Sequence, residues 1–160
     1  MSERPADFET LLARHGGIVG KVARIYGRDV DDRRDLAQEI ATQLWRAFPR
    51  FDEERGKFST WMYRIALNVG ISHLRSVRAV VPLDDDMLAT MPADPDDRAA
   101  ALYAQIRELE PLARALVLLY LEDRSYAEIA EVLGITEANV ATKLSRLKTR
   151  LRAQLTGAAS

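Results

Sequence analysis

Apolar residues recur at three- and four-residue steps along nearly the whole chain, and no strand-like alternation interrupts them. Phe8, Leu11, Leu12, Ile18, Val19, Val22 and Ile25 form the first stripe, with Asp7 placed to cap it. Gly16-Gly17 interrupts that helix, at about 1 kcal/mol per glycine relative to alanine. Leu36, Ile40, Leu44 and Phe48 make a second stripe at i, i+4, i+8 and i+12, on a helix read as beginning at Asp35 and ended by Pro49. A third stripe runs Trp61, Ile65, Val69, with Phe58, Met62, Ala66 and Leu74 alongside. The segment before it, residues 51–57, carries the turn chemistry of a loop.

Residues 79–97 break the pattern. They hold three Pro and six Asp, a composition that cannot bury enough apolar surface to offset chain entropy. Asp84, Asp85 and Asp86 are consecutive, and consecutive carboxylates rarely converge on one ion, so they mark a boundary and not a metal site. Helical spacing then resumes with Leu102, Ile106 and Leu109. Pro111 opens a strongly apolar helix bearing Ala115, Leu116, Leu118 and Leu119. The periodicity predicts an all-α protein: a helical domain over residues 1–78, a flexible acidic linker over 79–101, and a second helical domain over 102–160.

The sharpest local signal lies in the second domain. Ser125 and Glu128 have the spacing of a capping box, so a helix begins there. Ile129, Ala130 and Leu133 give it a short apolar face, and Gly134 stops it in a left-handed cap. Ile135 plugs the core and Thr136 caps the next helix. Short helix, glycine turn and capped longer helix make a helix-turn-helix. The longer helix buries Val140, Leu144, Leu147 and Leu151 and presents Glu137, Asn139, Lys143, Arg146 and Lys148. The plain alternative is an amphipathic surface helix with cations for solubility, but the two caps and the glycine turn favour a major-groove reader.

Two faces in the first domain are candidates for binding. Asp35, Gln38, Glu39 and Thr42 share one helical face opposite the apolar stripe, which suits docking on a basic protein helix. As an acid–base pair, Asp35 and Glu39 would lack a pocket to shift a pKa. Arg55, Lys57, Arg64, Asn68 and Arg75 interleave with Phe58, Trp61 and Tyr63, the mixture that unpaired bases and phosphates require. Trp61 and Phe58 also fit the core stripe.

Composition narrows the chemistry. In 160 residues there is no Cys and only His15 and His73, which removes disulfides, thiolate metal sites and cysteine nucleophiles. Neither His has an evident catalytic partner, so the chain is expected to be no enzyme and to hold no metal or cofactor. No apolar run reaches the roughly 20 residues of a bilayer span, and no signal-like stretch opens the chain, so a cytoplasmic protein without membrane insertion is expected. The net charge of −1 hides local fields: +4 over residues 43–78, −5 over 79–101, +4 over 136–160.

These residues together resemble the sigma-70 family of bacterial RNA polymerase sigma factors, in particular the compact extracytoplasmic-function group that keeps regions 2 and 4. Asp35-Leu36-x-Gln38-Glu39 resembles the region 2.2 signature. Phe51-Asp52-x-x-Arg55-Gly56-x-Phe58-Ser59-Thr60-Trp61 resembles regions 2.3 and 2.4, and Leu109-Glu110-Pro111 with Arg114 resembles the entry to region 4.1. The capped helix-turn-helix resembles region 4.2.

The resemblance implies a sigma factor that binds core polymerase, through its clamp and flap, and directs it to promoter DNA. It implies clamp docking by Asp35, Gln38, Glu39 and Thr42. It places the minus-ten element on Arg55, Lys57, Ser59, Thr60, Arg64, Asn68 and Arg75, with a flipped base held in the loop before region 2.4. The minus-thirty-five element falls to Thr136, Glu137, Asn139, Lys143, Arg146 and Lys148. An anti-sigma factor is a further implied partner, and the C-terminal extension of some relatives is expected to be absent. Ala141 stands where many members carry Lys, which lowers the salt slope of DNA binding by about one unit. Leu147 stands where a small residue is common. The competing function is a standalone helix-turn-helix regulator, which leaves the Asp35–Glu39 face and residues 51–61 unexplained.

Overall fold

The structure, a computed structural model, describes residues 4–80 and 100–159. No strand occurs among them. The helices are α1 (Arg4–Arg14), α2 (Gly17–Tyr26), α3 (Val30–Ala47), α4 (Phe58–Val80), α5 (Ala100–Arg107), α6 (Pro111–Leu121), α7 (Tyr126–Leu133) and α8 (Glu137–Ala159), with single 3-10 turns at Phe48–Arg50 and Glu53–Arg55. They form two compact units that part between Pro111 and Leu112.

In the first unit α2, α3 and α4 pack against one another in pairs. Val22, Ile25, Leu36, Ile40, Leu44, Met62, Ala66 and Leu67 make the centre, all essentially inaccessible to water. Tyr26 is buried there too, and Gly70 is the reason it fits. A β-carbon at position 70 would lie 2.6 Å from the Tyr26 ring, well inside van der Waals contact.

Several local expectations shift. The first helix starts at Arg4, so Asp7 lies in its first turn and favours the helix dipole without capping. The Gly16-Gly17 interruption divides the stripe into two helices. The α3 helix starts five residues before Asp35, because the Asp29 carboxylate accepts the Asp32 N–H at 2.8 Å and caps it there. On α4 the buried face is Met62, Tyr63, Ala66, Leu67 and Leu74, while Trp61, Ile65 and Val69 are only half-buried on its shoulder.

The acidic linker read over residues 79–101 lies outside the described residues, except that α4 continues to Val80 and α5 begins at Ala100. Residues 100–111, of which 102–111 were read as part of the second domain, group with the first unit and bury Ile106 and Leu109.

His73 ties α4 to the start of α3. Its Nε2 lies 3.0 Å from both carboxylate oxygens of Asp32. Burial alone would raise the Asp32 carboxyl, but the Arg28 backbone N–H donating at 2.8 Å, the His73 contact and the Arg28 charge hold it below its ordinary value. A carboxyl depressed in the fold stabilises fully above the unfolded value of about 3.9 and loses that contribution as pH falls through the lower folded one. Asp32→Asn should therefore lower the melting temperature at pH 7, with the gap to the parent closing below about pH 4. Thermal melts from pH 7 to pH 2 check this; a gap independent of pH would rule the pairing out as its cause.

The second unit is α6, α7 and α8 around Leu116, Leu119, Ile129, Val140 and Leu144.

Candidate nucleic-acid interface

The α7–α8 pair is shaped by its caps. Ser125 Oγ accepts the Glu128 N–H at 3.1 Å, and the same hydroxyl donates to Glu128 Oε1 at 3.2 Å. The Glu128 carboxylate thus turns to the serine hydroxyl and to Arg124 Nη1 at 3.4 Å. Gly134 has φ 69° and ψ 34°, the left-handed conformation in which a β-carbon is strained. Its N–H and that of Ile135 both donate to the Ala130 carbonyl, at 2.9 and 3.1 Å. Thr136 Oγ1 then accepts the Asn139 N–H at 3.1 Å, capping α8 at its start.

The α8 helix buries Val140, Leu144 and Leu147 against its unit and leaves Glu137, Asn139, Lys143 and Arg146 exposed. Asn139, Lys143 and Arg146 stand at i, i+4 and i+7, one continuous face with an amide and two cations, fit for base edges and phosphates. Thr136 is exposed beside them, its hydroxyl oxygen occupied by the cap. Lys148 belongs elsewhere. It is half-buried with Nζ 4.1 Å above the Tyr120 ring, and the Tyr120 hydroxyl beside it raises its ammonium above the ordinary value. Two positions beyond Arg146 turns a helix by about 200°, so Lys148 braces α8 on the end of α6.

In the first unit Asp35, Gln38, Glu39 and Thr42 are all exposed on α3. The Thr42 hydroxyl donates to the Gln38 carbonyl at 2.9 Å, and the Gln43 amide donates to Glu39 Oε1 at 2.9 Å, steadying the face. Trp45 extends it. The indole is 49% exposed and meets Phe8 edge-on at 5.3 Å. Its signal in the sequence is the spacing Gln38, Thr42, Trp45 (i, i+4, i+7), which lies one residue off the apolar stripe.

The residues read for the minus-ten element divide. Arg55, Lys57, Arg64, Asn68 and Arg75 are exposed. Ser59 and Thr60 are 6% and 8% exposed, buried in the first turn of α4, and this removes them from the exposed set. Asp52 shapes the loop by accepting the Glu54 N–H at 3.0 Å. Phe48, Phe51, Phe58 and Trp61 interlock with ring centroids 5.1 to 6.3 Å apart. Tyr63 is buried, so Phe51 and Trp61, both half-buried, keep the aromatic surface a base meets. An open cleft of about 540 Å³ lies beside this cluster, walled by Leu11, Phe48 and Phe51 and rimmed by Asp7, Asp52, Glu53 and Glu54. Its acidic rim repels phosphate. The backbone is better served by the cations and Asn68 along α4.

Among the described residues no cluster of three or more His, Asp or Glu is placed to hold a metal ion, and no helix is long and apolar enough to cross a membrane.

Comparison with known proteins agrees with the order of these elements. The family described as Sigma-70 region 2 matches residues 11–80, and the family described as Sigma-70, region 4 matches residues 99–151. The chain is 32% identical over 145 residues to the ECF RNA polymerase sigma factor SigW of Bacillus subtilis, covering 79% of this chain and 77% of that protein. It is 30% identical over 165 residues to the RNA polymerase sigma factor CnrH of Cupriavidus metallidurans, covering 92% and 86%. A solved structure of CnrH in complex with the cytosolic domain of CnrY superposes with a TM-score of 0.71 at 27% identity, over 98% of this chain and 92% of that one.

Proposed function

Because this chain belongs to the sigma-70 family, as an extracytoplasmic-function sigma factor that directs RNA polymerase to promoters, we propose how its own residues divide that task. The exposed α3 face of Asp35, Gln38, Glu39 and Thr42, with Trp45 beside it, docks on the polymerase clamp. Arg55, Lys57, Arg64, Asn68 and Arg75 hold the minus-ten strand, with an unpaired base turned toward the loop before α4. Asn139, Lys143 and Arg146 read the minus-thirty-five element, with Thr136 and Glu137 at the entry of the groove, while the second unit also meets the flap. Its place of action is the cytoplasm, and it contributes recognition with no catalytic step or cofactor of its own.

The capped helix-turn-helix, with one amide and two cations on its outward face, carries this reading. An overall charge near zero supports dependence on a large partner, because an autonomous DNA binder needs a broadly basic surface. CnrH was solved in complex with the cytosolic domain of CnrY, and an anti-sigma factor, the further partner that the family resemblance implies, is the second partner proposed here.

Purified protein added to core polymerase and genomic DNA should give transcripts with a shared set of starts that core alone does not give. Sequence-specific binding as a dimer without polymerase, and no new starts with it, would favour the standalone regulator instead.

Residues 79–101 place a net charge of −5 in the sequence between the two readers. Replacing Asp84, Asp85 and Asp86 with Ser should raise DNA binding by the isolated protein, most at low salt where charges act beyond about 10 Å, and leave clamp docking intact. Titration at two salt concentrations checks it; equal affinity for both chains at low salt would reject a shielding role.

A further inference from the structure

The way α8 is turned on its own unit decides which exposed residues enter a groove first. Val140, Leu144 and Leu147 are its buried line. Successive helical residues turn by about 100°, so Thr142 points about 160° away from both Val140 and Leu144. Ala138 and Arg146, one turn before and one turn after it, share that outermost line, and all three are exposed. Asn139 and Lys143 lie further round, about 60° and 100° from Thr142.

Thr142 also differs from Thr42 and Thr149. Those two hydroxyls donate to the carbonyl four residues back, Gln38 at 2.9 Å and Ser145 at 3.1 Å. Among the described residues the Thr142 side chain makes no hydrogen bond, so both its hydroxyl and its methyl group are left to the surface.

A helix about 10–12 Å across fills a major groove about 12 Å wide. Only the line farthest from the body of the unit then reaches the base edges at the floor, and side chains to either side meet the walls. At the floor stand the methyl groups of Ala138 and Thr142, followed by the Arg146 guanidinium. Thymine alone among the four bases carries a methyl group into the major groove, and alanine and threonine methyls are side-chain groups that pack on it.

We infer that Thr142, with Ala138 one turn before it, reads a thymine of the minus-thirty-five element through its 5-methyl group. The inference rests on α8 as the reader of that element and adds which base lies under its centre. The Thr142 hydroxyl bonds an edge of the same pair, and no carbonyl of its own helix has to release it. The contact is uncharged, so it adds preference without adding to the salt dependence of binding.

The test uses the full chain with core polymerase, on a duplex carrying the minus-thirty-five element shared by its transcription starts. Each thymine on either strand is replaced in turn by uracil, which removes the methyl group and keeps every hydrogen-bonding atom. One replacement should weaken binding about threefold to fourfold, the effect of one buried methyl-sized group, with the salt slope unchanged. In the Thr142→Ser chain, which lacks the methyl partner, that same uracil should cost less than about twofold. Thr142→Val keeps a methyl group in place and should restore the uracil effect. An equal uracil effect in the parent and in Thr142→Ser overturns the contact. So does an element whose scrambling weakens binding while none of its thymines responds to uracil. Equal binding of matched and scrambled elements by the parent would reject α8 as the reader, and the thymine contact falls with it.

Discussion

Core polymerase should fail to retain a chain carrying Asp35→Lys and Glu39→Lys. Both carboxylates are exposed on the middle of α3, and the buried residues of that helix, Leu36, Ile40 and Leu44, face the other way, so the exchange leaves the core of the first unit untouched. Lysine is as good a helix former as glutamate. Like charges set against each other across an interface cost several kcal/mol, so an affinity loss of roughly 100-fold or more is expected. The Gln43 amide loses its Glu39 acceptor, but at an exposed position that matters little. Trp45→Ala should weaken binding separately, by about 1 kcal/mol or more, if the indole is the aromatic anchor of the same face. Co-elution with core and circular dichroism on one preparation give the answer. A folded double variant that still co-elutes would sink the clamp assignment.

How far the sequence could be read depends on what fixes each feature. The helix-turn-helix was legible residue by residue, because Ser125, Gly134 and Thr136 act on their own backbone neighbours and the structure returns each cap at its place. The all-helical class followed from spacing alone. The helix α3 starts ahead of the acidic motif at Asp35 although its signal is local: Asp29, six residues before that motif, caps it by accepting the Asp32 N–H. The phase of α4 is different in kind. Trp61-Ile65-Val69 and Met62-Ala66-Leu74 are both plausible apolar lines, and only the position of α2 and α3 decides which is buried. The resemblance assigned Ser59 and Thr60 to the minus-ten element, yet they enter the core with that same phase. Lys148 looked like its basic neighbours in sequence, and the Tyr120 ring that claims it lies 28 residues away. The bond from Tyr26 to Pro111 is of longer range still: the two are 85 residues apart, and nothing in either one's sequence surroundings announces it.

Loss of Arg146 should separate sequence reading from simple attraction to DNA. Its side chain lies exposed on the Asn139–Lys143 face, two turns into α8, where a guanidinium reaches either a guanine edge or a phosphate. If it pairs with a base through two hydrogen bonds, Arg146→Ala costs about 1–3 kcal/mol on the matched minus-thirty-five element and far less on a scrambled one. If it touches phosphate alone, the loss is the same on every duplex and the salt slope falls by about one unit. Lys148→Ala is the control from the same helix. Held over Tyr120, it should leave the preference for the matched element unchanged and lower the melting temperature slightly. Competition between matched and scrambled duplexes at two salt concentrations, run with polymerase present, distinguishes all three outcomes. If Arg146→Ala changes neither affinity nor preference, the reading face lies elsewhere on α8; if Lys148→Ala erases the preference, the helix reads DNA with the side that packs on α6.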